Sequence, residues 1–176
     1  EQIKIGAAYH GAPLIIVGTG SGLSYSELGA THHSLDDIAI LRAIPDIQIL
    51  APCDSNELRA FLNQSIESNI PTYIRIGKKG EPIITNNCLS TRIGKANIIS
   101  DGKEILILGI GPILNEAIQA KKEYNQDQEK TCIVSMGSVK PIDTEFLKKM
   151  STKDFKKWII IEEHSIIGGL GSSIAE

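Results

Sequence analysis

Basic and aromatic residues are scarce in this sequence, which argues against a nucleic-acid partner. Lys and Arg together number 18 against 21 Asp and Glu, so that the net charge is −3 and the pI is about 5.8. Aromatic residues make up 5% of the chain, and no Arg-rich or aromatic-interleaved segment is present that could follow a phosphate backbone. We therefore expect that the protein does not bind nucleic acid.

Long apolar runs and paired cysteines are also missing. No run approaches the roughly 18 residues that a membrane-spanning helix needs, and the N-terminus lacks the charged-then-apolar pattern of a secretory signal. Cys53, Cys88 and Cys132 are odd in number, lie far apart and form no CxxC pair, which supports neither a disulfide framework nor a zinc site. We expect a cytoplasmic protein with reduced thiols and no membrane partner.

What is present is the composition of a soluble globular protein. The 176 residues are 41% hydrophobic and 22% charged, enough for one ordinary domain or two small ones. The chain starts at Glu1 in mid-pattern without Met, and it stops at Glu176 a few residues into a new helical pattern. We therefore expect a fragment, or the ordered part, of a longer protein.

Short apolar runs alternate with helical patterns along the chain. Runs with the length of strands buried on both faces lie at residues 14–17, 48–51, 73–76, 105–110, 131–135 and 158–162. The alternation favours parallel strands joined by right-handed crossovers, and it is interrupted between residues 81 and 101. We predict an α/β fold with two three-layer units on mainly parallel sheets, the first incomplete at its N-terminus. The boundary is placed near residue 86, which gives domains 1–85 and 86–176, the second truncated at its end.

Two helices are predicted to begin with a capping box, in which a cap side chain and an acidic residue three positions later satisfy free backbone N–H groups. Ser34 with Asp37 provides the first pattern, and the helix that follows stops at Pro45. Asp54 with Glu57 provides the second.

The stretch 27–45 and the glycine-rich loop 18–22 before it are the first candidates for a functional site. His32 and His33 stand directly before the first predicted helix, whose free N–H groups favour a neutral imidazole that can donate a hydrogen bond or shuttle a proton. The alternative is a surface histidine beside one that is hydrogen-bonded at the helix start. The glycine loop at the carboxyl end of a parallel strand favours the functional interpretation, because ligands of open α/β sheets bind there.

Three further segments have both a functional and a structural interpretation. Lys78 and Lys79, in a glycine-bounded loop after a strand, are either point charges for a phosphate or solvated lysines, and the second is commoner. The glycines of 168–171 either approach an anion or allow close packing, which we favour. Residues 162–164, Glu-Glu-His, are either part of a site or a polar strand exit.

These residues resemble the transketolase family over nearly the whole chain. Gly29-Ala30-Thr31-His32-His33, continued through residues 35–46 and 51–54, resembles the late part of the pyrimidine-binding domain. Residues 134–143, and Glu162-Glu163-His164 with the glycines of 168–172, resemble the C-terminal domain. Two motif sets in the right order make the resemblance specific.

The resemblance implies a thiamine diphosphate- and Mg²⁺-dependent enzyme that transfers a two-carbon ketol unit from a ketose phosphate to an aldose phosphate. The cofactor supplies the carbanion chemistry in such enzymes, and the protein orients it. By resemblance, His32 is the expected catalytic residue in the substrate channel, and Lys78 replaces the family's phosphate-binding arginine. His33, Gly20 and Ser21 are the other expected substrate-binding residues.

The same resemblance places much of the enzyme outside this chain. The glutamate that activates the cofactor is expected upstream of Glu1, and the diphosphate- and Mg²⁺-binding domain lies further upstream or on a separate subunit. The chain alone is therefore expected to be inactive. The expected partners are sugar phosphates and either a second copy of the protein or an N-terminal diphosphate-binding subunit.

Two positions depart from the family pattern. Leu28 stands where the family has an aspartate that contacts a donor hydroxyl, and Gly20 lies near a position where many members have a substrate-contacting histidine. Because a site built to pair hydroxyls discriminates through those partners, an atypical donor sugar or a degenerate site is expected. The alternatives are a deoxyxylulose phosphate synthase-like enzyme and a non-catalytic binding or assembly module, with a 2-oxoacid dehydrogenase beta subunit more distant.

Overall fold

The computed structural model describes residues 1–78, 80–86, 90–124 and 129–176. A π-helical segment, Ile3–Tyr9, precedes the first strand, and two 3₁₀ turns, Ser26–Leu28 and Ala30–His32, lie between the first strand and the first helix. The other elements, in chain order, are β1 (Ile15–Thr19), α1 (Asp37–Arg42), β2 (Gln48–Leu50), α2 (Ser55–Ser68), β3 (Thr72–Ile76), β4 (Asn97–Ser100), β5 (Ile105–Gly109), α3 (Leu114–Tyr124), β6 (Thr131–Ser135), β7 (Ser138–Lys140), α4 (Thr144–Ser151), β8 (Lys157–Ile161) and α5 (Leu170–Ala175).

The strands form two four-stranded sheets with the orders β1-β3-β2-β7 and β4-β6-β5-β8. β1, β3 and β2 are mutually parallel in the first sheet, and β6, β5 and β8 are parallel in the second. β7 and β4 are the antiparallel edge strands. The prediction of an α/β fold on mainly parallel sheets is confirmed, and every predicted strand run overlaps an observed strand.

The two halves of the chain share one sheet and one core. β7 follows β6 by two residues, yet it pairs with β2 of the first half. The largest apolar cluster likewise joins Ile38 and Ile49 of the first half to Leu106, Leu108 and Val134 of the second. β7, a strand of the second half, therefore completes the first sheet. The boundary near residue 86 stays a prediction.

The two predicted capping boxes have different outcomes. Asp54 caps α2, because its Oδ1 accepts a 2.9 Å hydrogen bond from the Glu57 backbone N–H. The box with Ser34 is wrong: α1 begins one residue after Asp36, which makes no side-chain capping bond. The Asp37 carboxylate is instead drawn to the buried Arg75 guanidinium, whose Nε donates to Asp37 Oδ2 at 2.9 Å.

No helix in the part of the chain that the structure describes is both long and apolar enough to cross a membrane.

Candidate functional site

The site is built where β1 and β3 end side by side. The two strands are in parallel register up to the pair Thr19 and Ile76, so that their loops leave the sheet together. The Gly20 N–H donates to the Gly77 carbonyl at 3.2 Å, and the Ser21 N–H donates to the Ile76 carbonyl at 3.0 Å. The glycine-rich loop is therefore fastened to the loop that carries Lys78, at the sheet edge where ligands of α/β folds bind.

Ser21 brings an unused hydroxyl to this edge. Its side chain is buried, and its Oγ has no hydrogen-bond partner among the described residues. A buried hydroxyl without a partner costs free energy, which makes it a candidate contact for a ligand atom.

Gly20 is required by its neighbour Tyr25. The backbone of Gly20 has φ +81°, and a Cβ built on it would lie 2.3 Å from Tyr25 Cε2. The Tyr25 ring in turn contacts Lys78 through a cation–π interaction, with Nζ 4.5 Å from the centre of the ring. Lys78 Nζ also lies 3.3 Å from Glu27 Oε1. The structure thus brings Gly20 and Lys78 together through Tyr25, which the sequence analysis did not single out.

The carboxyl group of Glu27 is tuned to stay ionised. A hydrogen bond from its own backbone N–H, followed by the hydrogen bond and the charge of Lys78, lowers the pKa of Glu27 below its ordinary value. The loop therefore presents a charged pair, Glu27 and Lys78, at its surface.

His32 and His33 do not stand directly before the helix as predicted. His32 ends the 3₁₀ turn, four residues separate it from α1, and the segment between is held elsewhere because the Ser34 N–H donates to the Gly22 carbonyl at 3.0 Å. Neither imidazole therefore lies at the N-terminus of α1.

The two imidazoles differ in their surroundings. His32 is exposed, and its Nδ1 lies 3.0 Å from Thr31 Oγ1. His33 is half-buried, with Nε2 3.4 Å from the Ser26 carbonyl. No hydrogen bond between described residues joins either histidine to Gly20, Ser21 or Lys78.

A buried polar network supports the loops from below. The Arg75 side chain is 2% exposed and donates to Asp37, to the Ser34 carbonyl at 2.7 Å and to the Glu163 carbonyl at 2.8 Å. The Tyr73 hydroxyl donates to Asp37 Oδ2 at 2.8 Å, and burial, reinforced by the Asp37 charge, raises the pKa of Tyr73. Sequence reasoning missed Arg75, although a lone charge within the apolar run 73–76 was a signal for a buried ion pair.

The second half contributes its strand exit to the same region. Glu163 Oε1 accepts from the Leu23 N–H at 3.4 Å, and the Ser165 N–H donates to the Leu35 carbonyl at 2.8 Å. His164 Nδ1 lies 2.8 Å from the Ser165 carbonyl, and its Nε2 lies 3.4 Å from the Ala39 nitrogen and 4.0 Å from Asp37 Oδ1. These contacts hold the exit of β8 against the loops of the first half, and both interpretations of residues 162–164 stay open.

The glycines of 168–171 serve packing. A Cβ at Gly168 would lie 2.6 Å from Ala39 Cβ of α1. The free N–H groups of Leu170 and Gly171 donate to the carboxylate of Glu162 at 2.7 and 3.0 Å. The chain's own carboxylate therefore occupies the place that an anion would take.

A cavity of about 300 Å³ opens beside Lys78, at the carboxyl ends of β2 and β3. Its lining includes Cys53, Asp54, Glu81 and Pro112, but neither Gly20 nor His32. Burial, then the charges of Glu57 and Asp54, raise the pKa of the Cys53 thiol, which therefore stays protonated and is no nucleophile.

Two of the residues considered in the sequence analysis are not among those that the structure describes. Lys79 and Cys88 lie outside the described residues. Over the described ranges, no group of three or more His, Cys, Asp or Glu side chains is arranged to hold a metal ion. Leu28, where the resemblance predicts an aspartate in the family, is a 51% exposed residue in the turn that follows Tyr25.

Comparisons with known proteins agree with this architecture. The family model for the transketolase pyrimidine-binding domain matches residues 1–81, and that for the transketolase C-terminal domain matches residues 94–176. A solved structure described as a split gene transketolase, inactive beta4 tetramer, superposes with a TM-score of 0.86 at 29% identity, over 99% of this chain and 56% of that one.

Two curated relatives are similar in sequence. An apulose-4-phosphate transketolase subunit of Phocaeicola vulgatus is 35% identical over the whole chain, which spans 56% of that protein. The 1-deoxy-D-xylulose-5-phosphate synthase of Halothermothrix orenii is 36% identical over 84% of this chain, a match that covers 23% of that protein. The chain thus spans little more than half, or less, of the curated relatives it matches. With its two consecutive domains matched, the chain belongs to the transketolase family.

Proposed function

We propose that this chain forms the substrate-binding side of a thiamine diphosphate-dependent enzyme that transfers a two-carbon ketol unit between sugar phosphates. The proposal rests on the hydrogen bonds that join the loop 18–22 to the loop of Lys78 at the carboxyl ends of β1 and β3. The segment after His32 is joined to the loop 18–22 as well, because Ser34 pairs with Gly22. Polar groups from three segments are thereby available to a ligand at the carboxyl ends of β1 and β3.

The described residues fit one wall of a substrate channel beside bound thiamine diphosphate. Ser21 supplies a buried hydroxyl without a partner, and Leu23 and Leu28 are exposed apolar side chains that can pack against a ring. Thiamine diphosphate, when bound, supplies the nucleophilic carbon that accepts the ketol unit.

Each candidate residue has a role that its surroundings support. His32 is exposed, and its Nε2 has no hydrogen bond to the described residues, so that it can exchange a proton or a hydrogen bond with a substrate oxygen. Lys78 offers a point charge to the phosphate. Gly20 leaves room for Tyr25, Ser21 supplies a buried hydroxyl without a partner among the described residues, and the half-buried His33 offers its imidazole to a substrate oxygen.

The donor sugar is proposed to be atypical. Leu28 offers no polar group to a donor hydroxyl, and Gly20 offers no side chain. The relative named after apulose-4-phosphate supports a donor outside the common set, and its name as one subunit of a transketolase supports a partner that carries the diphosphate site. The alternative assembly is a homodimer, and a cytoplasmic location is part of the same proposal.

The proposal is tested with the complete enzyme. The full-length gene product is co-expressed with its diphosphate-binding partner and assayed for cofactor-dependent ketol transfer from a panel of ketose phosphates. We expect transfer that requires both thiamine diphosphate and Mg²⁺. An assembled complex that transfers no ketol unit from any donor in the panel excludes the proposal.

A deoxyxylulose phosphate synthase-like reaction is the second candidate, favoured by the adjacent His32 and His33 and by the similarity to the Halothermothrix orenii enzyme. Supplying the same complex with pyruvate and glyceraldehyde 3-phosphate separates the two reactions, because only the synthase releases CO₂. A non-catalytic module is the remaining alternative. It gains support if the full gene product lacks an acidic residue able to activate the cofactor's aminopyrimidine.

A further inference from the structure

Lys78 is held by two neighbours of different kinds. Its ammonium lies 4.5 Å from the centre of the Tyr25 ring and 3.3 Å from Glu27 Oε1. The Tyr25 ring itself is fixed against the backbone of Gly20, where no Cβ fits. Tyr25 and Glu27 are two residues apart in the same loop, so that one loop provides both contacts.

The two contacts respond differently to an incoming anion. The Lys78 and Glu27 side chains are 42% and 60% exposed, and exposed pairs of this kind are weak and screened by salt. A second anion competes directly with Glu27 for the ammonium. The attraction between the ammonium and the Tyr25 ring remains in either case, because it uses the face of the ring and not the donor hydrogens.

We propose that Tyr25 is a positioning residue that holds Lys78 ready for the anionic end of the substrate, and that Glu27 is the internal partner that this anion displaces. The inference rests on the proposed function and adds the manner in which the charged end of the sugar is recognised. The ligand chemistry is a tetrahedral oxyanion on a sugar chain, which a phosphate or a sulfonate can provide.

Gly20 has a defined part in this arrangement. A residue with a side chain at position 20 would push the Tyr25 ring out of its place by direct overlap with Cε2 and Cδ2, at 2.3 and 2.7 Å. The absence of a side chain at Gly20 is therefore coupled to the presence of the ring at Tyr25. The Tyr25 hydroxyl makes no hydrogen bond to the described residues, so that the ring alone accounts for the contact with Lys78.

The test uses opposite effects of two substitutions. In the assembled full-length enzyme, Tyr25→Leu removes the ring and is expected to raise KM for a phosphorylated donor roughly two- to fivefold. Glu27→Gln removes the competing charge and is expected to lower the same KM by up to about fivefold, with the larger effect at low salt. Tyr25→Phe keeps the ring and is expected to behave as the wild type. In all three variants kcat stays within about twofold of the wild-type value, because the groups act on binding.

Three donors separate the sources of the anion. The phosphorylated and the sulfonated ketose should both show the opposite shifts, whereas the uncharged ketose should show neither. In a Lys78→Met background the two substitutions should lose their effects on KM. Glu67→Gln is the matched control, because it removes the same charge at an exposed position of α2, away from Lys78. Shifts of the same sign, or equal shifts with the uncharged donor, would overturn the inference.

A binding measurement keeps the inference separate from the proposed function. Inorganic phosphate is titrated into the full-length subunit while the Gly77 amide resonance is followed by NMR. We expect the smallest phosphate dissociation constant for Glu27→Gln, an intermediate one for the wild type and the largest for Tyr25→Leu. If the wild-type enzyme transfers no ketol unit, the proposed function fails and this order still decides the inference. Equal constants in all three proteins contradict it.

Discussion

Ser135 of β6 donates a 2.9 Å hydrogen bond to the fully buried carboxylate of Glu57 on α2, and this contact joins the two halves of the chain. The same carboxylate accepts from the Cys53 N–H at 3.0 Å and from Asn97 Nδ2 of β4 at 3.1 Å. Gly137 passes so close that a Cβ there would lie 2.8 Å from Glu57 Oε2. One acidic side chain thus holds together α2, β4, β6 and the turn that leads to β7.

Glu57→Gln is expected to destabilise the fold by about 1–3 kcal/mol, because an amide group turns one acceptor oxygen into a donor that faces other donors. Urea unfolding of the full-length subunit measures the change. Glu67→Gln, on the exposed face of α2, is the control and should leave the unfolding midpoint unchanged. An equal midpoint for the two variants would mean that Glu57 is not the connection described above.

Gly20 and Gly29 offer a comparison of backbone strain with steric overlap. Both have left-handed backbones, with φ +81° and +80°, but only Gly20 has a neighbour within 4 Å of the ideal Cβ position. Gly29→Ala is expected to cost about 1–3 kcal/mol from strain alone, because φ +80° with ψ −177° is a combination that almost only glycine adopts. Gly20→Ala should cost more than its own backbone strain, because the Tyr25 ring must also move.

The double variant Gly20→Ala/Tyr25→Ala separates the two terms. Without the ring, the added cost of alanine at position 20 should fall to that of backbone strain alone, about 1–3 kcal/mol in the free energy of unfolding. If Gly20→Ala costs the same whether or not Tyr25 is present, the ring does not pack on Gly20 in solution.

The sequence was informative wherever local pattern decides structure. Continuous apolar runs located β3, β5 and β6, because strands buried on both faces carry few polar side chains. The same pattern located β1, although the expected burial on both faces is wrong there: β1 is an edge strand in which Val17 is 47% exposed. β7 could not be found this way. It is three residues long, and its pairing with β2 links positions about 90 residues apart, Leu50 with Ser138.

The site was predictable in part for the same reason. The glycine loop and the two histidines stand out locally, and the structure places the glycine loop at the carboxyl ends of β1 and β3, with the segment after the histidines linked to it through Gly22 and Ser34. Asp37 looked like a capping residue because its partner Arg75 lies 38 positions away. Tyr25 escaped notice because its role depends on two contacts, Gly20 and Lys78, that only the folded chain creates.

Cys53 makes the stability of the fold sensitive to alkaline pH. Its folded-state pKa is raised, chiefly by burial, above the ordinary value of 9.0. Below that value the thiol is protonated in both states and its full contribution is present. Above it the unfolded thiol ionises while the folded one does not, so that the free energy of unfolding falls as the pH rises, by at most about 1.4 kcal/mol per pH unit.

Cys53→Ala should therefore flatten the fall in unfolding free energy between pH 9 and 10, whatever it does to stability at pH 7. Ser55→Ala, at the exposed start of α2, carries no titrating group and should keep the wild-type slope. Parallel wild-type and Cys53→Ala curves over this range would show that the thiol is not held protonated by the fold.

His32 provides the most direct link between the loop and the chemistry. The imidazole of His32 is exposed and, among the described residues, hydrogen-bonds only to the adjacent Thr31. His32→Ala should therefore change the free energy of unfolding by no more than about 0.5 kcal/mol. If the imidazole exchanges protons with the substrate, kcat for ketol transfer in the assembled enzyme should fall by about 10²-fold. The control is His10→Ala, which changes another exposed histidine, after the π-helical segment, and should alter neither quantity. A His32→Ala enzyme with full kcat would limit this residue to the surface role that its exposure alone allows.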